Sequence, residues 1–332
     1  MTAQTDKLES PPAVGIDFGG TTVKVGVVQG PDLLERLEAI PTAEFSDAEA
    51  LIQFLADQIQ RLCQRHPCIG AIGVGVPGLV DFDQGFVHEL TNVQGWNHVP
   101  LRTLLSQHSG LPVVVDNDAN CMTYAEWRHG SGQGFDNVIA LTLGTGVGGG
   151  LIRNGRLYRG SQFAAGEVGQ MSIDYRGRPG NYGNLGALEH YVGNQQIASH
   201  AVIHYAQINR AMRLEECTPK HIAERAQGGD GIARRIWGDV GEWLGTGLAN
   251  VVWLLNPDVI IIGGGIAQAG DLLFKPLSAK LGSMLSTVQW EHLQLRSAHF
   301  GNDAGIIGSA AMAVDYLTER HAHAAAGTAE AG

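Results

Sequence analysis

The sequence is short of several features that mark particular classes of protein. Basic residues are few, because 22 lysines and arginines stand against 33 aspartates and glutamates, a formal net charge of −11. Nucleic-acid-binding proteins present a basic surface to the phosphates, so this balance argues against a nucleic-acid partner. Cysteine is also scarce: the four cysteines include no C-x-x-C pair, which indicates reduced cytosolic thiols and excludes a disulfide framework.

Long hydrophobic runs are missing as well. The first dozen residues lack the apolar region of a secretory signal. The most apolar run, residues 251–262, is interrupted by Asn256, Pro257 and Asp258 and is too short to cross a bilayer, which takes about 20 apolar residues. We therefore expect a cytoplasmic protein with no membrane partner.

Glycine, by contrast, is abundant. The 46 glycines exceed the usual share of about 7%. A strand-like run over residues 138–143 leads into a turn that contains Gly144, Gly146, Gly148, Gly149 and Gly150. Positions without a Cβ accept positive φ angles and let a ligand reach backbone N–H groups. This pattern favours a polyphosphate ligand, and a tight hairpin without a ligand is the alternative.

The same strand, turn and strand occur near the N-terminus. Residues 17–21, D-F-G-G-T, align with residues 142–146, T-L-G-T-G, and an apolar strand follows each. Internal repetition of this unit predicts two related α/β domains, for which 332 residues are sufficient. Two phosphate-binding hairpins facing one another across a cleft would suit a nucleotide-dependent phosphotransferase.

A third candidate region follows the apolar strand at residues 111–115. Asp116, Asn117 and Asp118 come directly after this strand and precede a helix. In open α/β sheets ligands bind at the carboxyl ends of strands. Asp118 is therefore a candidate general base for a hydroxyl group, and the alternative is that Asp118 or Asn117 caps the helix. The two roles are compatible.

Seven motifs occur in order along the chain and together resemble the ROK family of sugar kinases, repressors and related proteins. The resemblance covers about residues 13–320. The motifs are D-F-G-G-T-T-V-K (17–24), G-V-P-G-L-V-D (75–81), G-W-N-H-V-P-L (95–101), V-D-N-D-A-N (115–120), L-G-T-G-V-G-G-G (143–150), G-E-V-G-Q (166–170) and V-I-I-I-G-G-G (259–265).

The resemblance implies the two-lobed α/β fold of the actin, hexokinase and Hsp70 ATPases, with duplicated ribonuclease H-like domains. We expect a small N-terminal domain over residues 13–117, completed by a C-terminal helix at about 305–320, and a large domain over 118–304. Residues 1–12 and the alanine-rich residues 321–332 should be disordered, since the tail has nothing to bury. The family also implies a homodimer or homotetramer.

The resemblance further assigns roles to residues. Asp118 would be the general base. The expected sugar ligands are Gly78, Asn92, Asn117, Asp118, Glu167, Gln170 and Glu189, although Glu189 has the alternative role of first-turn helix electrostatics. The residues expected to bind ATP and its phosphates are Asp17, Gly19, Gly20, Thr21, Thr22, Lys24, Gly144, Thr145, Gly146, Gly264 and Gly265.

Two of these assignments have alternatives of their own. Asp17 would face Mg²⁺ through water, because Mg²⁺ keeps several of its waters, or it would only satisfy N–H groups of its turn. Lys24 would contact a phosphate or be a solvated strand residue.

The chain departs from the family at one place. The family carries G-E-x-G-H followed by C-x-C-G-x-x-G-C-x-E, whose histidine and three cysteines hold a structural zinc. Here the four positions are Gln170, Gly180, Tyr182 and Ala187. We expect no zinc, and we expect loop 170–189 to be held by packing of Pro179, Tyr182 and Leu185. The Gln170 amide could still meet a sugar hydroxyl where the family has an imidazole.

The leading hypothesis is an ATP- and Mg²⁺-dependent hexose kinase, with glucose as the first candidate substrate. Fructose, mannose, N-acetylmannosamine and N-acetylglucosamine remain open, as does polyphosphate as the donor. A sugar-sensing repressor would need a helix-turn-helix before Ala13, where only 12 residues stand. A dinucleotide oxidoreductase built on Gly144, Gly146 and Gly149 would need a helix after the turn, where this sequence predicts a strand. Retention of Asp118 argues against a non-catalytic sugar-binding protein.

Overall fold

The structure is a computed structural model that describes residues 10–19, 21–90 and 96–329. The chain divides into two compact units. The first comprises residues up to Gly130, Gly160–Ala164 and residues from Asn302 onwards, and the second comprises Ser131–Arg159 and Ala165–Gly301. The division thus falls one helix later than the boundary expected after Asn117. Helix 118–129 belongs to the first unit because it packs closely on the C-terminal helix, where Gly308 leaves no room for a Cβ against the backbone of Cys121.

The first unit contains a six-stranded sheet with the order β3-β2-β1-β5-β9, in which β4 also pairs with β2. A second sheet has the order β6-β7-β8. The strands are β1 (Ala13–Phe18), β2 (Thr22–Gln29), β3 (Asp32–Arg36), β4 (Ile40–Pro41), β5 (Ala71–Val76), β6 (Val80–Asp81), β7 (Phe86–Glu89), β8 (Asn97–Val99) and β9 (Val113–Asn117). The helices between and after these strands are α1 (Ala48–Arg65), α2 (Leu101–Ser109) and α3 (Asp118–His129).

Helix α1 shows how local sequence determines the elements of this unit. Asp47 caps its N-terminus, where its carboxylate accepts a hydrogen bond from the Ala50 N–H at 2.9 Å. Leu51, Leu55 and Ile59 recur at helical spacing and are fully buried against the sheet core. Helix α1 is therefore amphipathic and capped at its N-terminus by its own sequence.

The second unit contains a five-stranded sheet with the order β12-β11-β10-β13-β14. Its strands are β10 (Val138–Leu143), β11 (Val147–Arg153), β12 (Arg156–Leu157), β13 (Val259–Gly263) and β14 (Gln294–Ser297). Its helices are α4 (Glu189–Val192), α5 (Asn194–Ala206), α6 (Pro219–Gln227), α7 (Gly231–Leu255), α8 (Asp271–Met284) and α9 (Thr287–His292).

The two sheets have the same topology. In the first, β1 pairs antiparallel with β2 and parallel with β5, and β5 pairs parallel with β9. In the second, β10 pairs antiparallel with β11 and parallel with β13, and β13 pairs parallel with β14. Asp17 is level with Gly75 of β5, and Thr142 is level with Gly263 of β13. The predicted duplication is confirmed, including the equivalence of Asp17 and Thr142.

The C-terminal helix α10 (Ala304–Ala329) packs on the first sheet. Gly73 in β5 meets its backbone directly, because a Cβ there would overlap the carbonyl group of Ser309. Strand glycines therefore serve packing as well as turns. The helix continues past residue 320, so it is longer than the helix expected at about 305–320. Alanine has the highest helix propensity of all residues, which explains the extension.

The remaining residues of the predicted lead and tail, 1–9 and 330–332, lie outside the described residues. None of the helices in the described part of the chain is both long and apolar enough to cross a membrane.

Candidate active site

The carboxyl ends of three parallel strands meet at one edge of the first sheet. The register aligns Asp17 of β1 with Gly75 of β5, and Gly75 with Asp116 of β9. Asn117 ends β9, and Asp118 begins helix α3 directly after it. This edge is where open α/β sheets bind ligands. The sequence-predicted residues Asp17, Asn117 and Asp118 therefore lie along the same edge.

Asn117 is the residue that caps helix α3. Its side-chain oxygen accepts hydrogen bonds from the N–H groups of Ala119 at 2.9 Å and Asn120 at 3.2 Å. Its amide nitrogen donates to the Gly78 carbonyl at 3.0 Å, which links the end of β9 to the turn after β5. Helix capping therefore requires Asn117 and not Asp118.

Asp118 is partly exposed at this strand end. Its carboxylate accepts a hydrogen bond from the N–H of Ala119 at 2.9 Å, which orients the side chain in the first turn of α3. Gly75 of β5 lies against its backbone, where an added Cβ would be 3.5 Å from the Asp118 Cα. The Ala119 N–H thus orients the carboxylate, and β5 packs close to the Asp118 backbone.

Asp17 forms an ion pair with Lys24, its cross-strand partner. The Lys24 Nζ lies 3.0 Å from the Asp17 Oδ2 and donates a second hydrogen bond to the Asn302 carbonyl at 3.3 Å. Gly305, in the first turn of α10, makes room for the carboxylate, because a Cβ there would be 2.5 Å from the Asp17 Cγ. Lys24 is therefore partnered and only partly exposed.

The turn between β1 and β2 is closed by a hydrogen bond from the Gly19 N–H to the Thr22 carbonyl at 2.8 Å. Thr21 is exposed, and its carbonyl accepts hydrogen bonds from the N–H and hydroxyl groups of Thr42. Gly20 and Asn92 lie outside the described residues, so their predicted contacts remain predictions.

In the second unit, the β10–β11 hairpin turn is closed by a hydrogen bond from the Gly144 N–H to the Gly146 carbonyl at 3.0 Å. Thr145 at the tip is exposed. A Cβ at Gly144 would meet no atom of the described chain within 4 Å, and its φ angle is not positive. Neither packing nor backbone conformation requires glycine at this position. The open space is what a ligand approaching the backbone would need.

Other glycines of the same run have a packing role that the sequence did not reveal. Gly149 of β11 lies directly against Gly166, and a Cβ on Gly149 would be 2.5 Å from the Gly166 carbonyl oxygen. Gly166 also has a φ angle of 91°, which favours glycine. This backbone contact fixes Glu167 beside the hairpin.

Glu189 begins α4 and lies against the hairpin turn. Its Oε1 accepts hydrogen bonds from the amides of Gln170 at 2.9 Å and Asn181 at 2.8 Å. Its Oε2 is the acceptor for the Val147 N–H at 3.5 Å, and a Cβ on Gly146 would lie 2.8 Å from it. Glu189 is therefore oriented by several polar groups, which goes beyond the alternative role in helix electrostatics alone.

Glu167 keeps more than a third of its surface accessible, but its carboxyl group is partly shielded from water. The loss of water around this group raises its pKa above the usual 4.5, and the negative charge of Glu189 raises the pKa further. The two predicted sugar-binding carboxylates of this unit thus interact electrostatically.

Loop 170–189 is held by hydrogen bonds, so the prediction of packing by Pro179, Tyr182 and Leu185 is wrong. Tyr182 is 81% exposed and Leu185 44%. The loop is closed instead by antiparallel bridges between Ser172 and Ala187 and between Pro179 and Leu185. The Asn184 side chain adds a hydrogen bond to the Gln170 carbonyl at 2.8 Å. Backbone pairing explains why an exposed aromatic contributes little here.

The family's zinc does not fit this loop. The four equivalent positions carry Gln170, Gly180, Tyr182 and Ala187, which offer no thiolate or imidazole. The Gln170 amide nitrogen donates to the Glu189 carboxylate, and Ala187 is fully buried.

Gly264 and Gly265 follow β13 beside the end of β10. Gly264 has a φ angle of 83° and packs against the Leu143 backbone, so both conformation and contact require glycine. Gly265 has φ −63° and no neighbour within 4 Å of an added Cβ among the described residues. It borders a pocket of about 230 Å³ whose lining includes Lys220, Gln227 and Gln268. This pocket could not be predicted from the sequence, because helix α6 lies far from residue 265 along the chain.

The comparisons with known proteins agree with this architecture. The chain matches the ROK family over residues 13–316. It is 34% identical over 308 residues to a glucokinase from Halalkalibacterium halodurans, covering 89% of this chain and 92% of the relative. It is 30% identical over 311 residues to an N-acetyl-D-glucosamine kinase from Mannheimia succiniciproducens, covering 90% and 98%.

Solved structures show the same fold. A ROK family glucokinase from Streptomyces griseus, in complex with glucose and AMPPNP, is 32% identical and superposes with a TM-score of 0.77 over 91% of this chain and 99% of that one. The family match over residues 13–316 includes residues of both units. The chain therefore belongs to the ROK family and has the fold of its sugar kinases.

Proposed function

We propose that the protein is a hexose kinase that transfers the γ-phosphoryl group of MgATP to the 6-hydroxyl of glucose. The observation that carries the proposal is the position of Asp118 at the carboxyl edge of the first sheet, where Asn117 performs the capping. The similarity to glucokinases, one of them in complex with glucose and AMPPNP, supports glucose and ATP as the first candidates.

Asp118 would act as the general base. Its carboxylate accepts the proton of the sugar hydroxyl while the hydroxyl oxygen forms a bond to the γ-phosphorus. The bond between that phosphorus and the bridging oxygen breaks, ADP leaves, and the proton passes from Asp118 to solvent. Mg²⁺, which enters with ATP as part of the substrate, neutralises phosphate charge. Asp17 would meet this complex through water, and the Lys24 ammonium, 3.0 Å from Asp17, would lie near the phosphates.

The sugar would be recognised mainly by hydrogen-bond acceptors. Glu167 and Glu189 would accept hydrogen bonds from sugar hydroxyls, and Asn117, which bridges to Gly78, would provide an amide. A buried hydroxyl without a partner is costly, so this acceptor set favours a polyol over an apolar substrate. Gln170 would add its amide, with Glu189 fixing its orientation. Asn92 is proposed from the family resemblance alone.

The nucleotide would be bound by glycine turns. Gly19, Gly20, Thr21 and Thr22 in one unit, and Gly144, Thr145 and Gly146 in the other, would donate backbone and hydroxyl hydrogen bonds to the phosphates. The open space at Gly144 supports this role. Adenosine would occupy the pocket beside Gly264 and Gly265, where Lys220, Gln227 and Gln268 supply polar groups.

One observation favours an N-acetylhexosamine as a second candidate substrate. Gln170 offers an amide where the family has an imidazole, and an amide can pair with the N-acetyl group of such a sugar. The similarity to an N-acetyl-D-glucosamine kinase is consistent with this alternative.

A coupled assay of ADP release across a hexose panel tests the proposal. Glucose, mannose, fructose, N-acetylmannosamine and N-acetylglucosamine are each offered with MgATP, and polyphosphate replaces ATP in a parallel series. We expect the highest kcat/KM for glucose with ATP. A preference for an N-acetylated sugar would select the second candidate, and absence of sugar-dependent turnover with every donor would refute the kinase assignment.

A further inference from the structure

Two histidines and an aspartate form a cluster inside the second unit. His200 and His204 lie one turn apart on helix α5, and Asp239 faces them from helix α7. The Nε2 atoms of His200 and His204 lie 2.8 Å and 3.8 Å from the Asp239 Oδ2. The two imidazole rings are 4.3 Å apart between centroids. Three ligand-bearing side chains from two helices therefore converge on one point.

An ion pair with Asp239 accounts for the position of His200 but not for that of His204. His200 makes a hydrogen bond with Asp239, but the 3.8 Å separation from His204 is too long for a second one. If both imidazoles were protonated, they would repel each other at this ring separation. The neutral imidazole is the form that binds a metal ion.

The spacing of the three side chains suits a tetrahedral metal ion. Ligands at about 2.0–2.1 Å from such an ion are about 3.3 Å from one another. The ligand atoms here lie within 4.8 Å of one another, and the two measured separations fall on either side of that value. Small rotations of the side chains would bring them to equal distances. Asp239 keeps 32% of its side-chain surface exposed, which gives an ion a path from solvent.

The donor set determines the class of metal. Two imidazoles and one carboxylate suit Zn²⁺ and similar first-row ions, whereas Mg²⁺ and Ca²⁺ prefer oxygen ligands. Three protein ligands leave one position for water.

The surroundings connect the cluster to the candidate active site of the same unit. The ring of His200 packs on Trp243 at 4.8 Å, and Trp243 packs on Tyr191 at 5.3 Å. Tyr191 belongs to helix α4, which begins with Glu189. Helix α5 itself starts at the hairpin turn, where the Asn194 N–H donates to the Gly144 carbonyl at 2.8 Å. A metal ion bound between α5 and α7 would stabilise the helices that pack beside Glu189 and the hairpin turn.

We propose that His200, His204 and Asp239 bind one Zn²⁺-type ion, with water as the fourth ligand, that stabilises the packing of α5 on α7. This site is separate from residues 170–187, on which the expectation of no zinc rested. The H-x-x-x-H spacing at residues 200–204 was visible in the sequence, but its third ligand, 35 positions later, was not.

Cobalt(II) is the probe, because tetrahedral Co²⁺ absorbs visible light and occupies zinc sites. The full chain, without a histidine tag and stripped of metal, is titrated with Co²⁺ in the absence of nucleotide, sugar and Mg²⁺, which separates this test from the proposed kinase activity. The variants are His204→Gln and Asp239→Asn. The matched control is His292→Gln, which removes an exposed histidine of helix α9.

We expect wild type and control to show a saturable tetrahedral Co²⁺ spectrum with one ion per chain, which Zn²⁺ abolishes. Both site variants should lose it, and Zn²⁺ should raise the melting temperature of wild type and control only. Circular dichroism checks that each variant is folded. If His204→Gln unfolds, the near-isosteric Asp239→Asn serves as the test instead. Absence of a saturable spectrum in wild type, or an unchanged spectrum in a folded site variant, would overturn the proposal.

Discussion

Replacing Gly265 by alanine should increase stability while weakening nucleotide binding. Gly265 has the helical angles φ −63° and ψ −33°, which alanine adopts without strain. An added Cβ would meet no described atom within 4 Å. A compatible glycine-to-alanine change stabilises a protein by about 0.4–1 kcal/mol, because the unfolded chain loses freedom. For a unit of this size, that gain corresponds to a melting temperature higher by about 1–4 °C.

The same methyl group would occupy space assigned to the adenosine. Overpacking by one methyl group costs about 1–3 kcal/mol, which corresponds to a nucleotide affinity about 5- to 150-fold lower. Calorimetric titration with a non-hydrolysable ATP analogue measures the affinity directly, and the KM for ATP should rise while the KM for the sugar stays constant.

Gly238→Ala provides the matched control. Gly238 lies inside helix α7, and its added Cβ also meets no described atom within 4 Å. This change should stabilise by about 1 kcal/mol without altering nucleotide affinity. If Gly265→Ala binds the analogue as tightly as the control does, the adenosine is not beside Gly265. If Gly265→Ala lowers the melting temperature, the space at this position is not open.

Two further predictions concern the second unit. Glu189→Gln should lower the pKa of Glu167 towards 4.5 but leave it raised, since burial is the larger cause, and carboxyl ¹³C NMR measures this pKa. Between pH 4.5 and the raised pKa, the folded chain binds more protons than the unfolded chain, so the contribution of Glu167 to stability falls as pH rises through that window. An unchanged Glu167 pKa in the Glu189→Gln variant would contradict the electrostatic coupling of the two carboxylates. Asn184→Ala should lose its hydrogen bond to the Gln170 carbonyl and cost about 1 kcal/mol in a thermal melt, whereas Tyr182→Ala should change stability by less than about 0.5 kcal/mol. A larger loss of stability for Tyr182→Ala than for Asn184→Ala would show that side-chain packing holds the loop.

Much of this architecture could be predicted because it is encoded locally. The strand, glycine turn and strand at residues 13–28 and 138–153 carry the duplication in their own sequences, and the observed register places Asp17 and Thr142 at equivalent positions. The N-terminal cap of α1 and its apolar face are likewise determined by a few neighbouring residues.

What could not be predicted depends on contacts between distant segments. The proximity of Asp17 to Gly305, 288 positions later, follows from how α10 returns to the first sheet. The pocket beside Gly265 is formed with helix α6. The proposed metal ligand Asp239 meets His200 and His204 because α5 packs on α7. The sequence of loop 170–189 suggests packing by Tyr182, but this side chain is exposed and backbone pairing closes the loop.

Replacing Asp118 by Asn is the sharpest test of whether the Asp118 carboxylate takes the proton of the sugar hydroxyl. Single-turnover phosphoryl transfer and calorimetric sugar binding are measured on the variant, with Asp57→Asn, an exposed aspartate of helix α1, as the control. We expect a transfer rate lower by about 10²–10⁴-fold with sugar affinity close to wild type. A transfer rate equal to that of wild type would contradict it.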